Sequence, residues 1–331
     1  MRRLTDEIPG VSDSSSRIAI WETVPGNSNR LKSDDMRIDH GQDNDSFAYR
    51  APSAIVGTEY RDERTALDSF TYYFQIKCGF TPETYTDEPY IIPYVVGRGR
   101  PAVIVIPGGG YGCVTSDGGD YEGKSVALEL NAKGFSAFVL HYRVNPYHHP
   151  LPLLDLQRAV RFIRKNADEL GVDPDRIALV GFSAGGYEIA GFLNLIRSRN
   201  KFPDDYTPDS TDLVDDGVSA AGLVYPVVNY RHNVPMLLCS YPESEVIDEV
   251  SLKKLLDDSD TALHFNSADA PQFITYGVND STVNARGAEE YISHAKLSGA
   301  DITALPVLGV EHGYGREHYF PQFLEWLGSH L

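Results

Sequence analysis

The sequence predicts an α/β fold, a mostly parallel central sheet with helices on both faces, and three observations carry that expectation. From about residue 100 onward, short apolar runs alternate with stretches of helical apolar spacing. The run Ile177 to Gly186, I-A-L-V-G-F-S-A-G-G, has the form of a buried strand that turns sharply into a helix. A Gly-rich turn, Pro107 to Tyr111, follows another apolar strand.

The elements are expected in the following order. Residues 1–65 are polar, rich in Asp, Ser, Asn and Arg, and form an arm whose composition favours disorder or packing against a domain over residues 66–331. Phe70 to Ile76 and Tyr90 to Val96 read as a pair of antiparallel strands at the N-terminal edge of the sheet. Ala102 to Ile106 is then a strand, Gly123 to Lys133 a helix and Ser136 to His141 a strand. Leu153 to Leu170 is a helix, with Leu153, Leu156, Val160, Ile163 and Ala167 on one face. Ile177 to Val180 leads into the sharp turn, and Tyr187 to Arg199 continues as helix. Gly222 to Val227, Gln272 to Tyr276 and Ile302 to Val307 are the later strands, with a helix from Ala285 to Ser298 and a terminal one from His318. In such a sheet, ligands bind beyond the carboxyl ends of the strands.

Composition narrows the function classes. The 29 Lys and Arg against 47 Asp and Glu give a net charge of −18, which opposes nucleic acid, anionic membrane surfaces and polyanionic substrates. It is compatible with a homo-oligomer. Cys78, Cys113 and Cys239 are an odd, widely spaced set without metal-ligand spacing, and read as reduced thiols of a cytoplasmic protein. The segment after Met1-Arg2-Arg3 is too short and polar for a signal peptide, and no run reaches transmembrane length.

The chemistry centres on Ser183. In G-F-S-A-G, Gly181 and Gly185 lack the Cβ atoms that would collide across a strand-to-helix turn, and the turn projects the serine hydroxyl outward. A serine hydroxyl is a poor nucleophile near neutral pH, so it needs a base, and the base needs an orienting partner. Asp280 follows the strand Q-F-I-T-Y, and His312 follows A-L-P-V-L in the loop G-V-E-H-G-Y-G. Asp280 could instead cap the helix from Ala285, and Asp269 lies before its strand, at the wrong edge of the sheet. His318 competes with His312, which is preferred because Gly313 and Gly315 permit a tight loop. Gly109, Gly110 and Ala184 would supply backbone N–H donors for an oxyanion. A phosphate cradle is the alternative for the Gly-rich turn, but G-G-G-Y-G-C lacks the spacing and the lysine.

Taken together, P-G-G-G-Y, H-Y-R-V, D-L-Q-R-A-V-R-F-I-R-K-N-A, D-P-D-R-I-A-L-V-G-F-S-A-G-G, Asp280 and His312-Gly313 resemble the α/β-hydrolase serine esterases related to acetyl xylan esterases and bacterial carbohydrate or feruloyl esterases. The resemblance covers about residues 90–331. It implies Ser183 as nucleophile, His312 as base and then acid, Asp280 as orienter, the Pro107 to Gly110 turn as oxyanion loop, and short acyl esters, often acetylated sugars, as substrates. It implies no metal and no organic cofactor. The chain departs from the family pattern at Tyr187-Glu188, where a histidine usually follows S-A-G-G, and at Val283-Asn284, where the loop usually reads V-P. Tyr111 and Tyr187 are expected to contact substrate, and Tyr147, His148, His149 and Tyr314 to lie near the same edge, where such rings stack on sugars. An amidase or peptidase on the same fold, and a binding protein that keeps the fold without turnover, are the competing readings.

Overall fold

The computed structural model describes residues 17–27, 46–50, 71–75, 86–115, 122–144, 147–233, 236–237, 240–241 and 249–331. In chain order the strands are β1 (Ile18–Ala19), β2 (Ser46–Arg50), β3 (Thr71–Gln75), β4 (Tyr90–Tyr94), β5 (Arg100–Ile106), β6 (Ser136–His141), β7 (Val172–Phe182), β8 (Ala220–Val224), β9 (Gln272–Gly277) and β10 (Ile302–Val307). The helices are α1 (Lys124–Ala132), α2 (Leu151–Lys165), α3 (Ala167–Leu170), α4 (Ala184–Gly191), α5 (Glu249–Asp258), α6 (Ala285–Leu297) and α7 (Phe320–Gly328). Among the described residues, no helix is long and apolar enough to cross a membrane.

Eight strands form one sheet in the order β1-β4-β6-β5-β7-β8-β9-β10. The six from β6 to β10 pair in parallel, and β4 and β1 extend the β6 edge antiparallel. Because side chains alternate across a strand, β5 feeds two cores. Ala102, Ile104 and Ile106 pack with Leu153, Leu156, Val160 and Ile163 of α2. Val103 and Val105 pack on the other face with Val126 and Leu130 of α1 and Phe323 and Leu327 of α7. Full burial of such side chains stabilises by roughly 1.5–3 kcal/mol each. β5 lies between β6 and β7, so the direction of winding reverses there. The Gly-rich turn leaves β5 and the Ser183 turn leaves β7, and both therefore open onto the crevice at the reversal.

Two differences from expectation concern pairing. Tyr90–Tyr94 does not pair with the segment around residue 73: it pairs with β1 and β6, while β3 pairs with β2 in a separate two-stranded ribbon. All five residues of β4 are buried, a burial that a two-stranded ribbon cannot supply, so partners distant in sequence win over the nearest strand. Phe70 and Ile76, the ends expected for that first strand, lie outside the described residues, as do Cys78 and Cys239.

Residues 17–27 lie against the domain. Ile18, Ile20 and Trp21 are buried, and the Trp21 indole N–H donates to Asp155 Oδ1 at 3.0 Å. Arg143 grips Asp155 with two guanidinium nitrogens, Nη2 to Oδ1 at 2.7 Å and Nε to Oδ2 at 2.9 Å, and its Nη1 donates to Pro25 O and Asn27 Oδ1. Arg158 Nε donates to Ile20 O at 2.7 Å. Arg143, just after β6, and Arg158, in the middle of α2, thus pin a segment more than a hundred residues away in sequence.

Candidate active site

Ser183 directly follows β7 and sits at the N-cap of α4 with φ 52° and ψ −114°, a conformation rare for a residue with a side chain. The turn is held from both sides. Ser183 N–H donates to Val224 O at 3.0 Å, and Ser183 O accepts from Gly186 N–H at 3.0 Å and Val227 N–H at 3.1 Å. A Cβ at Gly181 would collide with Gly185 O, and one at Gly185 with Ile106 O, so strand, helix and β5 approach to backbone contact here.

The structure brings the three residues expected around this turn into one hydrogen-bonded chain. His312 Nε2 lies 2.9 Å from Ser183 Oγ, and His312 Nδ1 lies 2.7 Å from Asp280 Oδ2. A carboxylate can only accept, so Nδ1 carries the proton, and in the neutral ring Nε2 is left to accept from the serine hydroxyl. The Asp280 side chain is 2% exposed and its other oxygen, Oδ1, accepts from Thr282 N–H and Val283 N–H, both at 2.8 Å. It does not cap α6, whose N-cap is Asn284, accepting from Arg286 N–H at 3.0 Å. Gly313, with φ 72°, supplies the left-handed residue that the His312 loop requires. His318 stands outside this chain, half-exposed beside Glu317, and Asp269 pairs with Arg197 at a surface position before β9.

The Gly-rich turn carries three consecutive residues of positive φ: Gly109 at 123°, Gly110 at 59° and Tyr111 at 62°. Its carbonyls fold back into it, since Gly109 O accepts from Gly112 N–H and Cys113 N–H, and Gly108 O accepts from Thr115 N–H. The N–H groups of Gly109 and Gly110 have no backbone acceptor among the described residues. The N–H of Ala184 belongs to the first turn of α4, where the helix itself offers no acceptor.

Tyr111 and Tyr187, expected to contact substrate, have their hydroxyls engaged within the protein. Both are fully buried: Tyr111 donates to Glu188 Oε1 at 2.6 Å, and Tyr187 donates to Ser259 O at 2.7 Å. α4 is buried all round, so a ring projecting from it ends in the core behind the turn. His149 packs against both of these tyrosines and against Tyr230 and Tyr241, and burial lowers its pKa to about 3. Tyr147 donates to Asp87 at 2.6 Å, and the Tyr314 hydroxyl bonds Thr275 Oγ1 at 2.7 Å. Burial holds His148, which is partly exposed, at about 4.

Sequence reading missed Glu122, which is buried and accepts from Gly108 N–H, Thr115 Oγ and Tyr225 Oη. In D-Y-E-G-K it looks like an acid at the entrance to α1, and nothing local signals its partners. Among the described residues there is no group of three or more His, Cys, Asp or Glu placed to hold a metal ion.

The model of the BD-FAE family matches residues 91–294, more than half of the chain. The protein belongs to the BD-FAE family. The matched span includes the Gly-rich turn, Ser183 and Asp280, and ends before His312. Among curated proteins, the chain is 35% identical over 200 residues to endo-1,4-beta-xylanase B of Butyrivibrio fibrisolvens, covering 57% of this chain and 29% of that protein. It is 31% identical over 86 residues to an acetylxylan esterase of Xylanibacter ruminicola, covering 26% of this chain and 17% of that one. The chain therefore spans less than a third of the length of either relative. Among solved structures, the acetyl ester-xyloside bifunctional hydrolase from Caldicellulosiruptor lactoaceticus superposes with a TM-score of 0.67 at 24% identity, over 97% of this chain and 98% of that one. An esterase from Thermogutta terrifontis superposes with a TM-score of 0.55 at 23% identity, over 73% and 86%. The BD-FAE chain has the α/β-hydrolase fold.

Proposed function

We propose that the protein is a serine esterase that hydrolyses short acyl esters, foremost acetyl esters of carbohydrates. The observation that carries the mechanism is the hydrogen-bonded chain from Ser183 Oγ through His312 to Asp280. Ser183 Oγ attacks the ester carbonyl while His312 Nε2 takes its proton, and Asp280 holds the imidazole in the required tautomer and balances the charge it gains. The tetrahedral oxyanion is met by the N–H groups of Gly109, Gly110 and Ala184. His312 returns the proton to the leaving alcohol, and water, activated by the same imidazole, releases the acid from the acyl-enzyme. The chemistry needs neither metal nor organic cofactor. The carbohydrate part of the proposal rests on the xylan-directed names of the two curated relatives. Tyr111 and Tyr187, buried as they are, lend it no support.

Turnover of a chromogenic acetate by the full-length chain tests the mechanism. Ser183→Ala is expected to lower kcat by about four to six orders of magnitude with unfolding behaviour unchanged, because the nucleophile acts as a unit with its base. Residual activity within about tenfold of the parent would remove Ser183 from the mechanism. Release of acetate from acetylated xylo-oligosaccharides, measured beside octanoate and acetate aryl esters, tests the substrate class. Faster hydrolysis of the octanoate would assign the protein to longer acyl chains.

A further inference from the structure

Glu122 joins the two loops that flank Ser183. Its Oε2 accepts from Gly108 N–H at 2.8 Å and from the Thr115 hydroxyl at 2.6 Å, while Oε1 accepts from the Tyr225 hydroxyl at 2.8 Å. Thr115 N–H in turn donates to Gly108 O, so one carboxylate oxygen grips both ends of the turn that carries Gly109 and Gly110. The other oxygen reaches the far side of the crevice. The ring of Tyr225 lies edge-on to His312, with centroids 5.0 Å apart, and packs against Phe182 and Tyr314. A Cβ placed on Gly108 would lie 3.0 Å from both Glu122 Oε2 and Ser183 Cβ, so the carboxylate is one side chain's thickness from the serine.

We propose that Glu122 is a positioning residue for ester hydrolysis, locking the Gly109–Gly110 turn in register with the His312 imidazole. The inference rests on the assignment of Ser183 and His312 made above. Backbone N–H groups stabilise an oxyanion only if they are already aimed when charge develops. A turn with three successive left-handed residues has many ways to relax, and Glu122 restrains it at both ends. Glu122 touches no reacting atom; it acts through Gly108, Thr115 and Tyr225.

The test compares full-length Glu122→Ala and Glu122→Gln with the parent on the chromogenic acetate, with functional sites counted by a fluorophosphonate that labels the active serine. Glu122→Ala is expected to lower kcat per labelled site about 100-fold with KM within about threefold, the pattern of an interaction felt only in the transition state. Glu122→Gln is expected to recover to within about tenfold of the parent, since its amide oxygen still meets Gly108 and Thr115 and its NH2 faces an oxygen of Tyr225 able to accept. Should Glu122→Ala fail to fold, Thr115→Val and Tyr225→Phe each release one arm and are each expected to lower kcat per site by about tenfold. Fewer labelled sites with parental kcat per site would reveal a purely structural role and overturn the inference, as would parental kcat in both single-arm variants. Ser183→Ala, run alongside, must show neither label nor turnover; if it shows both, the underlying mechanism fails, an outcome distinct from failure at Glu122.

Discussion

Asp280 with His312 and Asp155 with Arg143 are two pairs built on one plan, each a carboxylate oxygen 2.7 Å from a nitrogen donor. Both carboxylates are saturated. Asp155 Oδ1 takes Trp21 and Arg143, its Oδ2 takes Arg143 Nε and N–H, and Asp280 divides its oxygens between His312 and two backbone N–H groups. The difference lies in the partner. Arg143 is 0% exposed and enclosed by Pro25, Asn27 and the ring of Tyr147. His312 is 19% exposed and keeps a second nitrogen on Ser183. The same carboxylate chemistry therefore fixes a segment in one pair and, in the proposed mechanism, orients a base in the other.

Substitutions that break each pair should separate these roles. The largest effect is expected for Asp280→Ala, which should lower kcat on the acetate about 10⁴-fold, roughly 5.5 kcal/mol of transition-state stabilisation, while leaving the denaturant midpoint nearly unchanged. A large loss of stability with normal turnover would make this pair structural as well. Asp155→Ala should do the opposite. It strands Arg143 as an unpaired buried charge and should cost about 3–5 kcal/mol in urea unfolding, with kcat per folded molecule within about threefold of the parent.

Glu188 is the limiting case, a buried carboxyl with no cation paired to it among the described residues. Tyr111 donates to its Oε1, its Oε2 has no partner among the described residues, and burial raises its pKa well above 4.5. The folded chain then holds a proton that the unfolded chain releases above about pH 4.5, so this group's contribution to stability falls as pH rises toward its folded value. His148 and His149, held at about 4 and 3, contribute with the opposite sign, their stability being lost as pH falls below about 6.5. Between about pH 7.5 and 8.5 His148 and His149 are neutral in the folded state and largely neutral in the unfolded one. Over that window Glu188→Gln, which can keep the Tyr111 hydrogen bond, should flatten a decline in unfolding free energy seen in the parent. Identical slopes in the two proteins would show that Glu188 is ionised in the folded state. The smallest change is Tyr187→Phe, which removes one hydrogen bond to Ser259 O at about 1 kcal/mol and should leave the preference among acyl lengths untouched. A broader acyl range would put that ring in the pocket.

What the sequence made legible is what local backbone geometry dictates. Gly181, Ser183 and Gly185 sit on a turn that admits few other residues, and β10 spans the same residues, Ile302–Val307, that the apolar pattern marks. Ser183, Asp280 and His312 could be read as neighbours because each leaves the carboxyl end of a parallel strand. Pairings through space were not legible. The β1–β4 pair joins Ile18 to Ile91, and Glu122 meets Tyr225 across a hundred residues, with no local pattern to announce either. The burial of Tyr187 left a trace that was available. A-G-G-Y-E-I-A-G has no continuous polar face, which marks a helix enclosed by its own core.

Three residues with side chains, Tyr111, Ser183 and Tyr225, have φ of 62°, 52° and 36°, and they follow the neighbouring strands β5, β7 and β8. Left-handed backbone costs such residues about 1–2 kcal/mol each, so the crevice edge stores strain that the rest of the sheet does not. The hydrogen bonds from Ser183 to Val224 and from Tyr225 to Thr275 keep that strain from relaxing. On gradual heating, this rim is where the molecule has most to gain by letting go. Activity should therefore fade while the far-ultraviolet circular dichroism is still native, and amides around residues 109–111, 183–184 and 225 should exchange ahead of those in the strands that carry them.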